Sequence, residues 1–360
     1  MNIHVDKNSE GAKTHIASVA VVTPSYSIDQ VEAKQFMIKH YAKKLTPRSL
    51  KIMQKIFDHP SVLRRHFAFE NPECLIDEHP DSRIERFTRW AVDLSAQAVD
   101  NALAQVGLTN DAVSGLVVNT CTGYICPGIS TYLIEKLGLR RDIPAYDLVG
   151  SGCGGAVPNL QICEKMLRGD EKSVILSVSA EICSSTFQVA DDLGLIISNA
   201  LFADGAAAAV VWNLPEGLSM VASAGRHAPE YRDEIRYIHK NGQLYNQLST
   251  RLPGLVGKTV AHVVKDILKP RGLELGDIKH WAIHPGGEKV INAVRDEIGL
   301  SETQVRLSRE VLAEYGNISS VTVWFVLRKI LDAGIAPGDW CMMVTFGAGL
   351  SAYAFLLRTV

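Results

Sequence analysis

Three residues far apart in the 360-residue chain are of the types that acyl chemistry needs. They are Cys153 in the run VGSGCGG, His284 in WAIHPGG and Asn317 in YGNISS. Cys153 stands between glycines. Upstream, IPAYDLV reads as a short buried strand; downstream, AVPNLQICEKML has a helical pattern. Strand, glycine turn and helix with a thiol at the junction is the pattern of a nucleophile elbow. A thiol at a helix N-terminus feels the positive end of the macrodipole. Such settings lower a cysteine pKa from ~8.5 to roughly 3.5–7.5. The glycines let a substrate carbonyl approach the backbone closely. Cys153 is therefore a candidate acyl-accepting nucleophile. The His284 imidazole can take the thiol proton, and the resulting ion pair stabilises the thiolate. His284 and Asn317 can both donate hydrogen bonds to a thioester oxygen as it gains charge. Each residue also has a plainer reading. Cys153 can be a small buried residue in a tight turn, HPGG an ordinary turn and Asn317 a helix N-cap. The three together, in duplicated positions, favour chemistry.

The elements that must position these groups repeat. In the first half, AVDLSAQAVDNALAQVGL reads as a helix, followed by the strand GLVVN and the loop TCTGYICPG. In the second half, GKTVAHVVKDILKPRGL, HWAI and HPGG echo that order. The next unit echoes too. The GSGCGG turn with its helix and the strand SVILSVSAE pairs with YGNISS, its helix and the strand WCMMVTFGAG. Duplication of an α/β unit is the simplest account. The alternation of helix and buried strand predicts a mostly parallel sheet in each half. The halves should meet near ALFADGAAAAVVWNLPEG, dividing the chain into 1–215 and 216–360. Pseudo-symmetry would bring the helix starts at Cys153 and Asn317 together, with His284 pointing at the same junction.

Composition excludes several classes. A chain with 47% hydrophobic residues and a net charge of −2 suits a globular enzyme and gives no reason to expect nucleic-acid binding. No apolar stretch is long enough to span a bilayer. The polar N-terminus does not read as a secretory signal. Seven cysteines with no CxxC pair argue against a zinc site or a disulfide framework and for a reducing, cytoplasmic compartment.

The motifs GSGCGG, SAEICSSTF, ALFADGAAAAVV, LPGLVGK, WAIHPGG, REVLAEYGNISSVTV and FGAGLSAYAFLLRTV resemble those of the type III polyketide synthases. These are the chalcone synthase-like members of the thiolase superfamily. The resemblance runs from about Ile16 to the C-terminus and has a bacterial style. It implies an α/β chain with the five-layered αβαβα thiolase fold, built from two duplicated halves and usually a homodimer. It places the family's nucleophile, histidine and asparagine on Cys153, His284 and Asn317. It implies that an acyl-CoA starter loads on Cys153, and that malonyl-CoA then loses CO2 to an enolate held by His284 and Asn317. The carbanion attacks the thioester, and the chain is extended again or cyclised. CoA thioesters are the substrates; no metal and no tethered cofactor is implied.

The resemblance also places substrate-binding residues. Phe202 falls at the junction of cavity and CoA tunnel, and Thr186, Cys121 and Ser319 fall on the cavity wall. Asn246 falls near a second gatekeeper position that holds phenylalanine in plant members. Thr345 and Ala348 replace a glycine and a proline beside the expected cavity. These changes argue against a phenylpropanoid starter. In SLKIMQKIFDHPSVLRRHF, the basic residues Lys51, Lys55, His59, Arg64 and Arg65 lie near the CoA-contact region, as does Lys289 further on. Lys55 is the candidate phosphate partner among them. Two alternatives stay open: a ketoacyl-ACP synthase III-like enzyme that condenses once onto a carrier protein, and a non-catalytic acyl-binding partner subunit. A non-decarboxylating thiolase is disfavoured because Cys341 begins the strand CMMVTF instead of lying in the C-terminal glycine loop.

Overall fold

Runs in which both alternating sets of side chains are apolar become the central strands. In the computed structural model, which describes residues 14–76, 78–168 and 172–360, the strands are β1 (His15–Val22), β2 (Tyr26–Asp29), β3 (Arg64–Phe67), β4 (Gly115–Asn119), β5 (Ala145–Leu148), β6 (Ile175–Ile182) and β7 (Asp204–Trp212). They continue with β8 (Leu218–His227), β9 (Ile235–Lys240), β10 (Gln243–Leu248), β11 (Ile278–Ile283), β12 (Trp340–Gly347) and β13 (Ser351–Thr359). The helices are α1 (Gln30–Tyr41), α2 (Pro47–Phe57), α3 (Pro80–Gln105), α4 (Ile129–Leu137) and α5 (Ala156–Met166). Then come α6 (Leu193–Leu201), α7 (Leu252–Leu268), α8 (Glu288–Ile298), α9 (Glu302–Tyr315) and α10 (Thr322–Asp332). The polar residues 1–13, read above as unlike a secretory signal, lie outside the described residues.

Among the described residues, nine strands form one sheet in the order β11-β12-β13-β8-β1-β7-β6-β4-β5. Its two runs are joined only where His15 faces Ser219 and Ile16 faces Leu218. The pairing repeats across that seam. In one run, β4–β6 is parallel while β6–β7 and β7–β1 are antiparallel. In the other, β11–β12 is parallel while β12–β13 and β13–β8 are antiparallel. This is the duplication read from the sequence, with β5 as an extra edge strand.

Two expectations are corrected. The sheet is mixed, not mostly parallel. β12 and β13 are joined through a short turn, which permits only antiparallel pairing. Between β6 and β7 the connecting helix α6 packs on α2 and β10 instead of crossing the sheet face, so the chain returns from the same end. The IPAYDLV strand is not buried either. β5 pairs with β4 alone and leaves Tyr146 and Val149 exposed.

Period two explains the layers. On β7, Ala206, Ala208, Val210 and Trp212 pack under α3 and α4, while Ala207, Ala209 and Val211 face a central layer. On β13, Ala352, Ala354 and Leu356 pack under α7 and α8, while Tyr353, Phe355 and Leu357 face that same central layer. The central layer is α5 and α10, carrying Val157, Leu160, Trp324 and Leu327. The order is helix, strand, helix, strand, helix. Apolar side chains fill most of this layer covered on both sides, and its buried polar groups are paired: Asn159 of α5 donates to the Val117 and Val178 carbonyls. A fourth cluster packs α1 and α2 on α6. No described helix is long and apolar enough to cross a membrane.

The hairpin β9–β10 stands outside this sheet and turns at Asn241-Gly242, both at positive φ (51° and 74°). Asn-Gly is the pair that tolerates such a two-residue hairpin turn. The register sets Asn246 directly opposite Tyr237, so their side chains share a face.

Candidate active site

The thiol is delivered by a turn with no room for side chains. After β5 the chain makes a tight helical turn over Gly152–Gly154 and enters α5 at Ala156. Gly152 has φ +55°, and a Cβ there would lie 2.8 Å from the Ala348 nitrogen. A Cβ on Gly347 would lie 2.1 Å from the Ser151 oxygen and 2.6 Å from the Gly154 nitrogen. The C-terminal glycine loop is thus pressed onto the elbow. Thr345, expected beside the cavity, is fully buried and donates to the Gly154 carbonyl at 3.0 Å. It pins the elbow.

Asn317 lies at the duplicated position, ahead of the turn Ser319–Val321 and α10. Its orientation is unambiguous: Oδ1 accepts from the Ser319 backbone N–H at 2.8 Å, and Nδ2 donates to the Gly286 carbonyl at 3.2 Å. An amide NH2 carries two hydrogens, so one remains for a substrate. Ser319 has φ +50°, unusual for a residue with a Cβ. That conformation aims its hydroxyl back at the elbow. Ser319 Oγ donates to Cys153 Sγ at 3.2 Å and lies 3.1 Å from Cys121 Sγ.

His284 directly follows β11 and is 1% exposed, its ring set edge-on to Phe346 with centroids 4.9 Å apart. Among the described residues neither ring nitrogen has a hydrogen-bond partner. A buried unsatisfied polar group costs about 1–3 kcal/mol. That is a poor arrangement for a packing residue and a fitting one for a group that meets a substrate oxygen. The Gly286 N–H donates to the His284 carbonyl, and Gly286 in turn accepts from Asn317. Thiol, hydroxyl, amide and imidazole-bearing loop therefore form one hydrogen-bonded chain, from Cys153 through Ser319, Asn317 and Gly286 to His284.

The charge state differs from the sequence expectation. Burial pushes the Cys153 thiol up to about 12, against the Ser319 hydrogen bond that lowers it. Burial pushes the His284 imidazole down to about 3. Burial thus disfavours the charged form of each group, and no hydrogen bond joins them among the described residues. The helix N-terminus does not overcome desolvation here.

Behind the thiols lies a buried carboxylate that sequence reading passed over. Glu181 accepts from the backbone N–H groups of Cys121 (3.0 Å) and Thr122 (3.1 Å), from the Thr122 hydroxyl (2.9 Å) and from Ser320. Burial raises its pKa, and its charge together with burial holds the Cys121 thiol well above the ordinary value. The available signal was an acidic residue inside the otherwise apolar strand ILSVSAEI.

Other expected residues divide into two groups. Thr186, Phe202 and Asn246 line one cavity, with Tyr26, Phe36 and Phe69 among its aromatic walls. Cys153, His284 and Asn317 do not line it. Phe202 links the two places: its backbone bridges to Asn317, and the Ala203 N–H donates to the Asn317 carbonyl at 3.0 Å. Tyr237, missed in the sequence, reaches Thr186 from across Asn246. Lys55 is exposed in the last turn of α2, outside the cavity, and Lys51, Arg64 and Lys289 are exposed too. His59 lies beyond the end of α2, so it shares no helix face with Lys55, and its ring meets Glu288 at 3.2 Å. Arg65 is buried and bonded to backbone carbonyls, so it offers nothing to a CoA phosphate.

A five-layered thiolase-type fold with a Cys, a His and an Asn from separate elements at one junction defines a condensing-enzyme class. Comparison with known proteins narrows it. Residues 20–222 match the family of FAE1/type III polyketide synthase-like proteins, and residues 220–360 match the C-terminal domain of chalcone and stilbene synthases. The 3,5-dihydroxyphenylacetyl-CoA synthases of Streptomyces toyocaensis and Amycolatopsis balhimycina are each 29% identical, over 320 and 309 residues. Those alignments cover 85% and 83% of this chain and 82% and 83% of the relatives. PKS-I from the brown alga Ectocarpus siliculosus superposes with a TM-score of 0.90 at 27% identity, covering 98% of this chain and all of that one. The 1,3,6,8-tetrahydroxynaphthalene synthase of Streptomyces coelicolor shares the fold, with a TM-score of 0.89 at 23% identity over 96% of this chain and 99% of that one. The chain belongs to the type III polyketide synthase family. It is an acyltransferase that extends acyl-CoA starters by iterative condensation with malonyl-CoA. The single-condensation and non-catalytic alternatives are not favoured.

Proposed function

We propose that Cys153 carries the growing acyl chain, and that His284 and Asn317 hold the malonyl-derived enolate. The observation that carries this reading is the hydrogen-bonded chain from Cys153 through Ser319 and Asn317 to the His284 loop. When acyl-CoA binds, the thiol proton passes to His284 as sulfur attacks the thioester carbonyl. The imidazolium returns that proton to the departing CoA thiolate, leaving neutral imidazole and an acyl-Cys153. Malonyl-CoA then loses CO2. The bonding electrons move onto its thioester oxygen, which accepts hydrogen bonds from Asn317 Nδ2 and from the N–H of neutral His284. The carbanion attacks acyl-Cys153, the carbon–sulfur bond breaks and Cys153 leaves as thiolate. A neutral imidazole suits the enolate step, because it donates without itself being consumed as an acid.

Phe202, Thr186 and Asn246 wall the cavity that takes the acyl chain, while Cys121 and Ser319 line the thiol side. Exposed Lys55 is available to the CoA phosphates. The chain divides near 215/216, a reading supported by family matches that meet at 220–222. Two copies pair through the edge strand β5, where Tyr146, and Val149 just beyond the strand, are 48% and 54% exposed. Open edges bearing apolar groups are normally covered. Seven unpaired cysteines fit a reducing cytoplasm.

The test is incubation with a panel of acyl-CoAs and labelled malonyl-CoA, with no carrier protein present. Mass spectrometry should find an acyl adduct on the Cys153 peptide and labelled products longer than the starter. An adduct mapping elsewhere, or malonyl-CoA left unconsumed, would overturn the assignment. Light scattering should give twice the chain mass, and Tyr146→Asp should halve it.

A further inference from the structure

Helix α6 ends where the gatekeeper begins, and its last carbonyls need partners. The Ser198 carbonyl takes the Phe202 N–H at 2.9 Å. The next four are filled from outside the helix. Arg65 Nη1 donates to the Asn199 carbonyl at 2.8 Å and the Phe202 carbonyl at 3.0 Å. Gln30 Nε2 donates to the Ala200 carbonyl at 2.7 Å. The Leu201 carbonyl accepts the backbone N–H of Asn317 at 2.8 Å. Gln30 Oε1 in turn accepts from Arg65 Nε at 3.1 Å, making the two side chains one clamp.

Arg65 is 3% exposed, and its guanidinium is flanked by the Phe57 and Phe67 rings, 5.8 and 5.1 Å from their centroids. Its hydrogen bonds go to neutral acceptors at a helix C-terminus, the end at which a cation is favoured. The far side of the clamp is equally tight. Gly316 has φ +72°, and a Cβ there would meet the Leu201 oxygen at 2.7 Å and Arg65 Cγ at 2.8 Å. The residue just before Asn317 is thus wedged between the helix end and the arginine stem.

We infer that Arg65, braced by Gln30, is a positioning residue for condensation: by fixing the C-terminal carbonyls of α6 it sets where Asn317 and Phe202 stand. This rests on the reading of Asn317 as an enolate donor. A lysine places one compact charge there and cannot supply the fork of donors that reaches both carbonyls and Gln30.

The test compares acyl loading of Cys153 with malonyl-CoA decarboxylation in the full chain. Arg65→Lys should load within about 3-fold of the parent rate, which also reports an intact fold. Its decarboxylation kcat should fall about 10- to 100-fold with little change in KM, since small displacements of a catalytic group cost that much. Gln30→Met, a milder change, should move decarboxylation the same way by less and keeps the question open to test if Arg65→Lys does not fold. On an Asn317→Ala background, Arg65→Lys should add almost nothing, because its effect runs through the missing amide. A purely structural role would instead slow loading and decarboxylation alike and add its full effect on that background; either result overturns the assignment. Undiminished decarboxylation in both Arg65→Lys and Gln30→Met overturns it too. If Asn317→Ala itself decarboxylates at the parent rate, the reading of Asn317 falls and takes this inference with it.

Discussion

At the start of α5 the turn is made with glycine; at the start of α10 it is made with hydrogen bonds. The two turns occupy duplicated positions, ahead of the paired central helices: α5, which packs on β4 and β6, and α10, which packs on β11 and β12. Around Cys153, Gly152 and Gly347 leave no Cβ, and backbone meets backbone. Around Asn317, a non-glycine residue adopts positive φ, with its N–H bonded to the Asn317 side chain. One turn clears space so that a thiol can be reached. The other spends its side chains on fixing a donor. Duplication placed two helix starts face to face, and local turn chemistry gave one an accessible thiol and the other a fixed amide donor, the features behind the roles proposed for Cys153 and Asn317.

The comparison can be broken most severely at the thiol. Cys153→Ala should fold yet carry no acyl group, with condensation lower by on the order of 10⁶. Intact mass spectrometry checks this, and a normal adduct would end the assignment. At the second turn, Asn317→Ala should still load Cys153 while decarboxylation of malonyl-CoA falls roughly 10²–10³-fold, the usual effect of losing one oxyanion donor. Parent-like release of labelled CO2 would reduce Asn317 to a helix cap. Gly347→Ala tests whether the first turn truly depends on absent side chains. The added Cβ must push the elbow, so loading should slow about 10²-fold, and rates near the parent's would show that the elbow yields easily.

Protonation gives the smaller effects. Because burial holds the Cys153 thiol up at about 12, iodoacetamide labelling of that peptide should climb about tenfold per pH unit through the neutral and alkaline range. His284→Gln should leave the profile within about 3-fold. A plateau below neutral pH, lost in the His284 variant, would restore a resting ion pair. The imidazole contributes to stability in the opposite sense to a paired histidine. Its folded pKa of about 3 lies below the ordinary 6.5, so its contribution is full above 6.5 and is lost as pH falls toward 3. Parent Tm should drop more than that of His284→Gln between neutral pH and pH 4; equal drops would show that His284 is not held neutral.

By itself the sequence determined the candidate residues Cys153, His284 and Asn317, the duplication and the layered apolar strands, because each leaves a local signature. Glycine spacing marks close backbone approach, and two-sided apolar runs such as GAAAAVVW mark covered strands. The pair Asn241-Gly242 also carries a hairpin signal, one that sequence reading passed over. Tertiary structure alone decided what depends on neighbours distant in the chain. Strand direction followed from where α6 packs, which no periodicity records. The exposure of β5 followed from its having one partner. Arg65 read as one of several basic residues near the CoA-contact region, but the carbonyls of α6, more than a hundred residues away, enclose it. The directions in which the Cys153 and His284 pKa values move have the same origin. A helix start lowers a thiol's pKa only while water or a counter-charge supports the anion, and here the burial supplied by distant layers outweighs the dipole.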